Sequence, residues 1–246
     1  MITTNKKILI VLPTLNEERA LSENVKRVFD FCQDNLSNYD WQILIADNGS
    51  TDNTVYISQN LTNQHPRITY FHLDQPGRGR AMKKAWLENE ADVYLYMDAD
   101  LATDLKYLPP LIKAITDEGF DLATGSRLKR GAKISRSLFR EISSRTYNLI
   151  LRVIFPKYKI QDSQCGFKAI SQRVKIKVLP SVKDPIWFFD TELFIRANEL
   201  GFKIKEIPVE WQDNKFVKRK TRVKILKTVT DDLREIIKLK IELLKK

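Results

Sequence analysis

The sequence predicts an α/β protein with a mostly parallel sheet flanked by helices, and three observations carry that expectation. Short continuous apolar runs recur, KILIVL at 7–12, WQILIA at 41–46 and DVYLYM at 92–97, as expected of strands buried on both faces. Segments of helical spacing lie between them, the first being EERALSENVKRVFDFCQDNL. The runs end in polar or acidic loops: PTLNEE, DNGSTD and DADLATD. Strand–helix alternation feeds right-handed parallel crossovers. Ligands of such sheets bind beyond the carboxyl ends of the strands, so the three loops are expected to converge on one crevice.

In chain order, the strand at 7–12 is followed by a helix over 17–36. The strand at 41–46 leads through the turn pair Asn48-Gly49 into a helix from about Asp52, capped by Ser50, Thr51 or Asp52. RITYFHL (67–73) is a third strand, a helix begins near Arg78, and 92–97 is a fourth strand. LKYLPPLIKAIT is helical, interrupted or capped at Pro109 and Pro110, and FDLATGS (120–126) is a strand. The second half changes character. Residues 134–155 read as one helix, 162–171 as loop and strand, and 187–202 as a helix stopped by Gly201. Residues 203–211 read as a strand that Pro208 assigns to a sheet edge. From about Thr221, apolar residues at 226, 229, 233, 236, 237, 241 and 244 give a C-terminal amphipathic helix with lysines between.

Composition narrows the function. Of 246 residues 43% are hydrophobic, enough for a sizeable core. A formal charge of +11 points to an anionic partner. Nucleic acid is disfavoured, because acidic loops at the strand ends repel its phosphates. Two cysteines, Cys32 and Cys165, and two histidines argue against a disulfide framework or a zinc site and suit a reduced cytosolic setting. The chain opens directly into a strand, without a signal peptide. No apolar stretch approaches the roughly 20 residues of a membrane span, so membrane contact is expected to be peripheral.

Asp98 and Asp100 stand at the tip of VYLYM. Residues two apart on a strand face the same way. Close carboxylates call for a divalent cation or a shared proton, and oxygen ligands without histidine suit Mg2+ or Mn2+. The competing account is a pair of capping or solvated loop acids; the place at the end of a buried strand favours the cation. Asp47 ends the second strand, placed to accept hydrogen bonds from a base or ribose. Glu17 is either a helix-start acid or a ligand contact. QPGRGRA (75–81) lacks the full G-x-G-x-x-G pattern, but brings backbone amides and Arg78 or Arg80 toward phosphates at a helix start. His65 and His72 read as structural.

Seven ordered segments, VLPTLNEE, ADNGSTDNT, QPGRGRAMKKA, MDADLATD, LATGSR, DSQCGFKAI and FDTELFIRANELGFKIKEIPVEW, together resemble the family 2 glycosyltransferases. Within these the chain is similar to polyprenyl-phosphate hexosyltransferases such as the dolichyl-phosphate glucose and mannose synthases. The resemblance implies a GT-A, Rossmann-like fold, a nucleotide-sugar donor and Mg2+ or Mn2+. It implies that Pro13, Leu15 and Glu17 line the nucleotide pocket and that Asp47 meets the base. Asp98, Ala99 and Asp100 would face the donor, with Asp98 and Asp100 on the metal. Arg127 and Arg140 would meet phosphates, Arg127 those of donor and acceptor alike. Arg222, in KRKTR (218–222), resembles part of a basic element that closes over the donor. One departure stands out. Mannose synthases often read D-A-D-L-Q, whereas this chain has Ala102, leaving water or Thr103 to complete the metal shell. That alanine, with DSQCGFK, points toward UDP-glucose rather than GDP-mannose.

Two acceptor chemistries stay open. A phosphate monoester, with a second pKa of about 6, needs cations rather than a base; Arg127, Arg136, Arg140, Arg145 and Lys168 supply them. A sugar hydroxyl needs a carboxylate base, for which Asp190 or Glu192 of FDTE is the candidate, unless it is a helix-start acid. A polyprenyl phosphate would be met at the cytosolic membrane face. Residues 134–155 would then lie in the interface through Leu138, Phe139, Ile142, Leu149, Ile150 and Phe155, as would the basic tail, unless each packs on the protein's own core. The expected organisation is a catalytic domain over 1–215 and a basic helical tail over 216–246, cytoplasmic and peripherally membrane-associated.

Overall fold

Nine strands and eight α-helices alternate along residues 5–212 and 225–245, the residues described by the computed structural model. Strands β1 (Lys7–Thr14), β2 (Asp40–Asp47), β3 (Ile68–His72) and β4 (Val93–Met97) run parallel. Helices α1 (Leu21–Asn35), α2 (Thr54–Gln64) and α3 (Arg78–Leu87) connect them. Next come α4 (Leu108–Thr116), β5 (Leu122–Ser126), β6 (Lys133–Ser135), α5 (Leu138–Ile154), β7 (Phe167–Ser171) and α6 (Gln172–Lys177). Helix α7 (Phe189–Glu199), β8 (Ile204–Pro208), β9 (Glu210–Gln212) and α8 (Ile225–Leu244) follow.

The main sheet has the order β3-β2-β1-β4-β7-β5-β8. β7 is antiparallel to β4 and β5, while β5 and β8 are parallel. That one reversed strand brings the start of β7, rather than its end, beside the tip of β4; Phe167 pairs with Met97. Side chains alternate across β1 as strand geometry requires. Leu9 and Val11 enter one core with Trp86, Tyr96 and Phe189, and Ile8, Ile10 and Leu12 enter the other with Val25, Val28 and Leu111.

The expected strands form, and β8 lies at the sheet edge, as Pro208 predicts. Pro109 and Pro110 occupy the first turn of α4, where a missing N–H costs nothing. Gly201, at φ +76°, ends the helical segment as expected. Two expectations need correction. Residues 134–155 are not one helix, because Ile134 and Ser135 belong to β6 and pair with β9. The 203–211 segment likewise divides at Pro208, with its last residues joining the small two-stranded sheet.

Helix α5 presents its apolar residues outward. Leu138, Ile142, Leu149 and Val153 are 80%, 63%, 55% and 70% exposed, whereas Ser144, Asn148 and Leu151 face inward. Phe139 is also exposed, but Phe155, expected beside it at an interface, is buried, and Ile150 is half-buried. Helix α8 buries Ile236 and Leu239 in the protein's core and leaves Ile237, Ile241 and Leu244 exposed. Arg222 and the expected 215/216 boundary lie outside the described residues.

Asp232 of α8 is buried facing Asp184, Asp231 and Glu235, and burial first, then these like charges, raise its carboxyl from 3.8 to about 7. The folded chain therefore keeps this proton to about pH 7, whereas the unfolded chain loses it near pH 3.8. The contribution to stability is fullest at low pH, falls as pH rises between those values, and is flat above. The ionised group costs on the order of 2–4 kcal/mol. Asp232→Asn is expected to raise the melting temperature at pH 8 and leave it nearly unchanged at pH 4.

Candidate active site

The loops after β1 and β2 are laced together. The Asn16 N–H donates to Ser50 Oγ at 2.7 Å, and the Glu17 N–H donates to Thr54 Oγ1 at 2.7 Å. Asn16 itself has φ +52° and accepts from the Thr51 N–H. The capping position of α2 is Asn53, one past the expected residues, and it makes no side-chain cap; Asp52 accepts from the Thr54 N–H at 3.0 Å, and Ser50 donates to Asp47. The third loop joins through Asn24 of α1, whose Nδ2 donates to the Ala99 carbonyl at 2.8 Å. Pro13, Leu15 and Glu17 are half-buried along this rim. Asp47 lies fully buried beneath it, bonded to Ser50 and, at 2.5 Å, to Nδ1 of the half-exposed His72.

At the tip of β4, the Asp98 N–H donates to the Gly166 carbonyl at 2.9 Å. Asp98 Oδ1 accepts from Arg78 Nη2 at 2.9 Å, and a methyl on Gly166 would lie 1.8 Å from Asp98 Oδ2. Asp100 Oδ1 accepts from the Ala102 N–H at 3.1 Å, across Leu101 at φ +52°. Ala102 opens instead into a cavity of about 630 Å³ beside Arg27, Thr103, Lys133 and Trp211. Thr103 is buried and bridged to Trp211.

A buried cluster lies behind Asp98. Asp190 Oδ1 accepts from the Tyr96 hydroxyl at 2.6 Å, while Oδ2 faces Arg78 Nη1 at 3.7 Å and Lys168 Nζ at 3.8 Å. Burial pushes the Tyr96 phenol well above its ordinary value, so it remains a donor. Burial would weaken the Arg78 charge, but Asp98, Tyr96, Asp190 and Asp100 outweigh it and raise its pKa. For Lys168 burial prevails over Asp190 and lowers the pKa. Lys168 also donates to the Cys165 carbonyl and sits wholly buried, so it props the site rather than opening to solvent.

The other expected cations are differently engaged. Arg127 forks onto Asp162 through Nε at 2.8 Å and Nη2 at 2.9 Å and stacks over Trp211. Burial acts to raise the Asp162 carboxyl, but Arg127 dominates and holds it below the ordinary range. Arg136 and Arg145 both pair with Glu141 at 2.6 Å. Arg140 is half-buried on α5. Glu192 is no base: it binds the Lys183 and Asp184 amides and pairs with Arg196 at 2.7 Å.

The start of α3 does not form an anion cradle. The Gly79 and Arg80 amides donate to the carbonyls of Ile186 and Pro185, and Arg80 Nη1 binds the Gln75 and Pro76 carbonyls. Methyls on Gly77 and Gly79 would lie 2.7 Å from the carbonyl oxygens of Pro185 and Asp184. These glycines admit the protein's own backbone, and Arg78 is the residue they deliver to the crevice. Burial lifts the Cys32 and Cys165 thiols to about 12, which removes both as nucleophiles.

Asp98 and Asp100 fit a hard divalent cation that takes its remaining ligands from water and a diphosphate. Asp98 is 41% exposed, and Gly166 leaves space for its carboxylate where a Cβ would not. Among the described residues no group of three or more histidine, cysteine or acidic side chains could hold a metal ion, so a cation at Asp98 and Asp100 would need further ligands from outside the protein. Tyr96, Asp162 and Gly166 are the residues that sequence reasoning missed. DSQCGFK carried the last two, and their chemistry emerges only when β7 is laid antiparallel beside β4.

The glycosyl transferase family 2 model matches residues 9–179. Glycosyltransferase AglD of Haloferax volcanii is 34% identical over 207 residues, 84% of this chain and 33% of that protein. The dolichyl-phosphate beta-glucosyltransferase of Saccharomyces cerevisiae is 28% identical over 223 residues, 83% of this chain and 66% of that protein. The chain thus spans between a third and about two thirds of the length of these relatives. Glucosyl-3-phosphoglycerate synthase of Mycobacterium tuberculosis, solved with Mn2+, UDP-glucose and phosphoglyceric acid, superposes with a TM-score of 0.68 at 20% identity. That alignment covers 95% of this chain and 78% of the other, and confirms the GT-A fold. With the strand-tip aspartates, the laced loops and the family match in agreement, the chain belongs to glycosyl transferase family 2.

Proposed function

We propose that the chain is an inverting hexosyltransferase that moves glucose from UDP-glucose to a polyprenyl phosphate at the cytosolic face of a membrane. The observation that carries this reading is the engagement of Asp190. One oxygen accepts from Tyr96 and the other faces two buried cations, so the carboxylate holds cations in place rather than waiting for a hydroxyl proton. An acceptor without a base must bring its own nucleophilic charge, as a phosphate does. The yeast relative named above, a dolichyl-phosphate beta-glucosyltransferase, supports the lipid and the sugar. The outward apolar face of α5 supports a membrane surface, because large exposed apolar stripes mark such contacts.

In this reading Pro13, Leu15 and Glu17 flank the nucleotide, and Asp47 with His72 forms the floor under the base. Asp98, Ala99 and Asp100 face the diphosphate. A divalent cation bound at Asp98 and Asp100, Mg2+ or Mn2+, supplies charge neutralisation for the leaving nucleotide. Arg78 adds a positive charge in a partly dry site, where it acts more strongly than in water. Arg127 and Arg140 orient the acceptor phosphate. Attack on C1 from the face opposite the nucleotide inverts the anomeric centre.

The test is transfer of labelled hexose from UDP-glucose or GDP-mannose to short-chain polyprenyl phosphate and to polyprenyl phosphate in vesicles. Label is expected on both lipids, preferentially from UDP-glucose. Leu149→Glu with Val153→Glu is expected to cut vesicle transfer about tenfold or more while sparing the short-chain acceptor. Label on a sugar hydroxyl, with none on lipid phosphate, would replace this reading by the hydroxyl-acceptor one.

A further inference from the structure

The geometry points to Arg78 as a two-position cation: it holds Asp98 in the free protein and must pass toward Asp190 before a divalent cation can take Asp98 and Asp100 together. The inference rests on the metal assignment above and concerns what guards that site. One oxygen of Asp98 is held by Arg78, and the other packs close to Gly166. Oδ1 accepts from Arg78 Nη2 at 2.9 Å, and Oδ2 lies against Gly166, so close that a methyl there would sit 1.8 Å away. The guanidinium charge on Oδ1 therefore competes with a divalent cation for the same carboxylate.

The second position is already built. Arg78 Nη1 lies 3.7 Å from Asp190 Oδ2, beyond a hydrogen bond but within reach of a small rotation. The guanidinium sits between two aromatic rings, 5.0 Å from the Tyr96 centroid and 5.5 Å from that of Trp187, which favour a planar cation in either position. The backbone is pinned by the Gly79 and Arg80 amides on Ile186 and Pro185, so movement is confined to the side chain. Asp190 thus serves as the anchor that receives Arg78, which accounts for a carboxylate too engaged to act as a base.

Mn2+ binding in the absence of nucleotide, read from the electron paramagnetic resonance signal of free Mn2+, tests this directly. Arg78→Met removes the competing charge while filling the space between the rings. An opposite charge at this distance shifts a carboxylate's proton affinity by one to three units. Mn2+ is therefore expected to bind about tenfold tighter to the variant. Asp190→Asn removes the negative charge that would receive Arg78 and leaves Asp98 its nearest carboxylate, and weaker Mn2+ binding is expected. Arg80→Met removes an equal charge from a side chain bound to the Gln75 and Pro76 carbonyls, and no change is expected. If Arg78→Met does not fold, Arg78→Gln carries the same expectation. Unchanged or weaker binding in the Arg78 variant, or equal tightening by Arg80→Met, overturns the inference. Loss of Mn2+ binding in Asp100→Asn alongside an unchanged Arg78 variant would sink this inference alone. Failure of the wild-type chain to bind Mn2+ even with UDP would sink the metal assignment with it.

Discussion

Asp100→Asn is expected to abolish metal-dependent donor binding while the protein remains folded. Asparagine keeps the shape of the side chain and an oxygen to accept the Ala102 N–H, so the turn through Leu101 at φ +52° retains its support. What disappears is one of two negative charges at the strand tip. A neutral amide oxygen is a far weaker partner for a hard divalent cation, and a diphosphate then meets a site without its counter-charge. UDP affinity in the presence of Mn2+, measured by calorimetry, should fall at least about 100-fold, the scale on which a single electrostatic contact acts in such sites. UDP affinity without metal should not change. Chelation of the wild-type protein should reproduce the variant, and melting should shift by less than about 1 kcal/mol in stability. Full Mn2+-dependent affinity in Asp100→Asn would remove this residue from the site.

The sheet was legible because VYLYM, KILIVL and WQILIA are buried on both faces, and their apolar runs say so without any tertiary knowledge. The direction of β7 was not. FKAIS has the same apolar character whether it runs with or against its neighbours, and only long-range pairing decides. Asp98 and Asp100 were readable from position, whereas Gly166 was not, because its constraint comes from a residue 68 positions earlier in the chain. QPGRGRA shows a different limit. Glycine is needed wherever backbone approaches closely, and the sequence cannot tell a phosphate from the carbonyls of Asp184 and Pro185. The period of α5 was visible, but the side facing the protein was misjudged at Phe155. This helix buries Asn148 because its side-chain oxygen accepts from both the amide and the hydroxyl of Ser163, a reason no hydropathy pattern contains.

Gly166→Ala should be nearly as damaging as loss of Asp98 itself, although Gly166 has no side chain to lose. Its φ is not in the left-handed region, so space rather than backbone strain demands glycine. The added methyl would lie 1.8 Å from Asp98 Oδ2 and 2.2 Å from its Cγ, well inside contact distance. Neither backbone can retreat freely, since the Asp98 N–H is bonded to the Gly166 carbonyl at 2.9 Å and the paired strands continue the ladder. The carboxylate must swing out of its place, breaking the contact with Arg78 and misaligning Asp98 with Asp100. Transfer activity is expected to fall about 1,000-fold, and overpacking to cost about 1–3 kcal/mol of stability. The decisive measurement is a double-mutant cycle on stability. In an Asp98→Ala background the obstructing atoms are gone, so Gly166→Ala should cost little there, leaving a coupling energy of about 1–2 kcal/mol that arises from shape. Equal cost in both backgrounds would mean that the methyl clashes with something other than Asp98, and that the start of β7 does not shape the carboxylate's pocket.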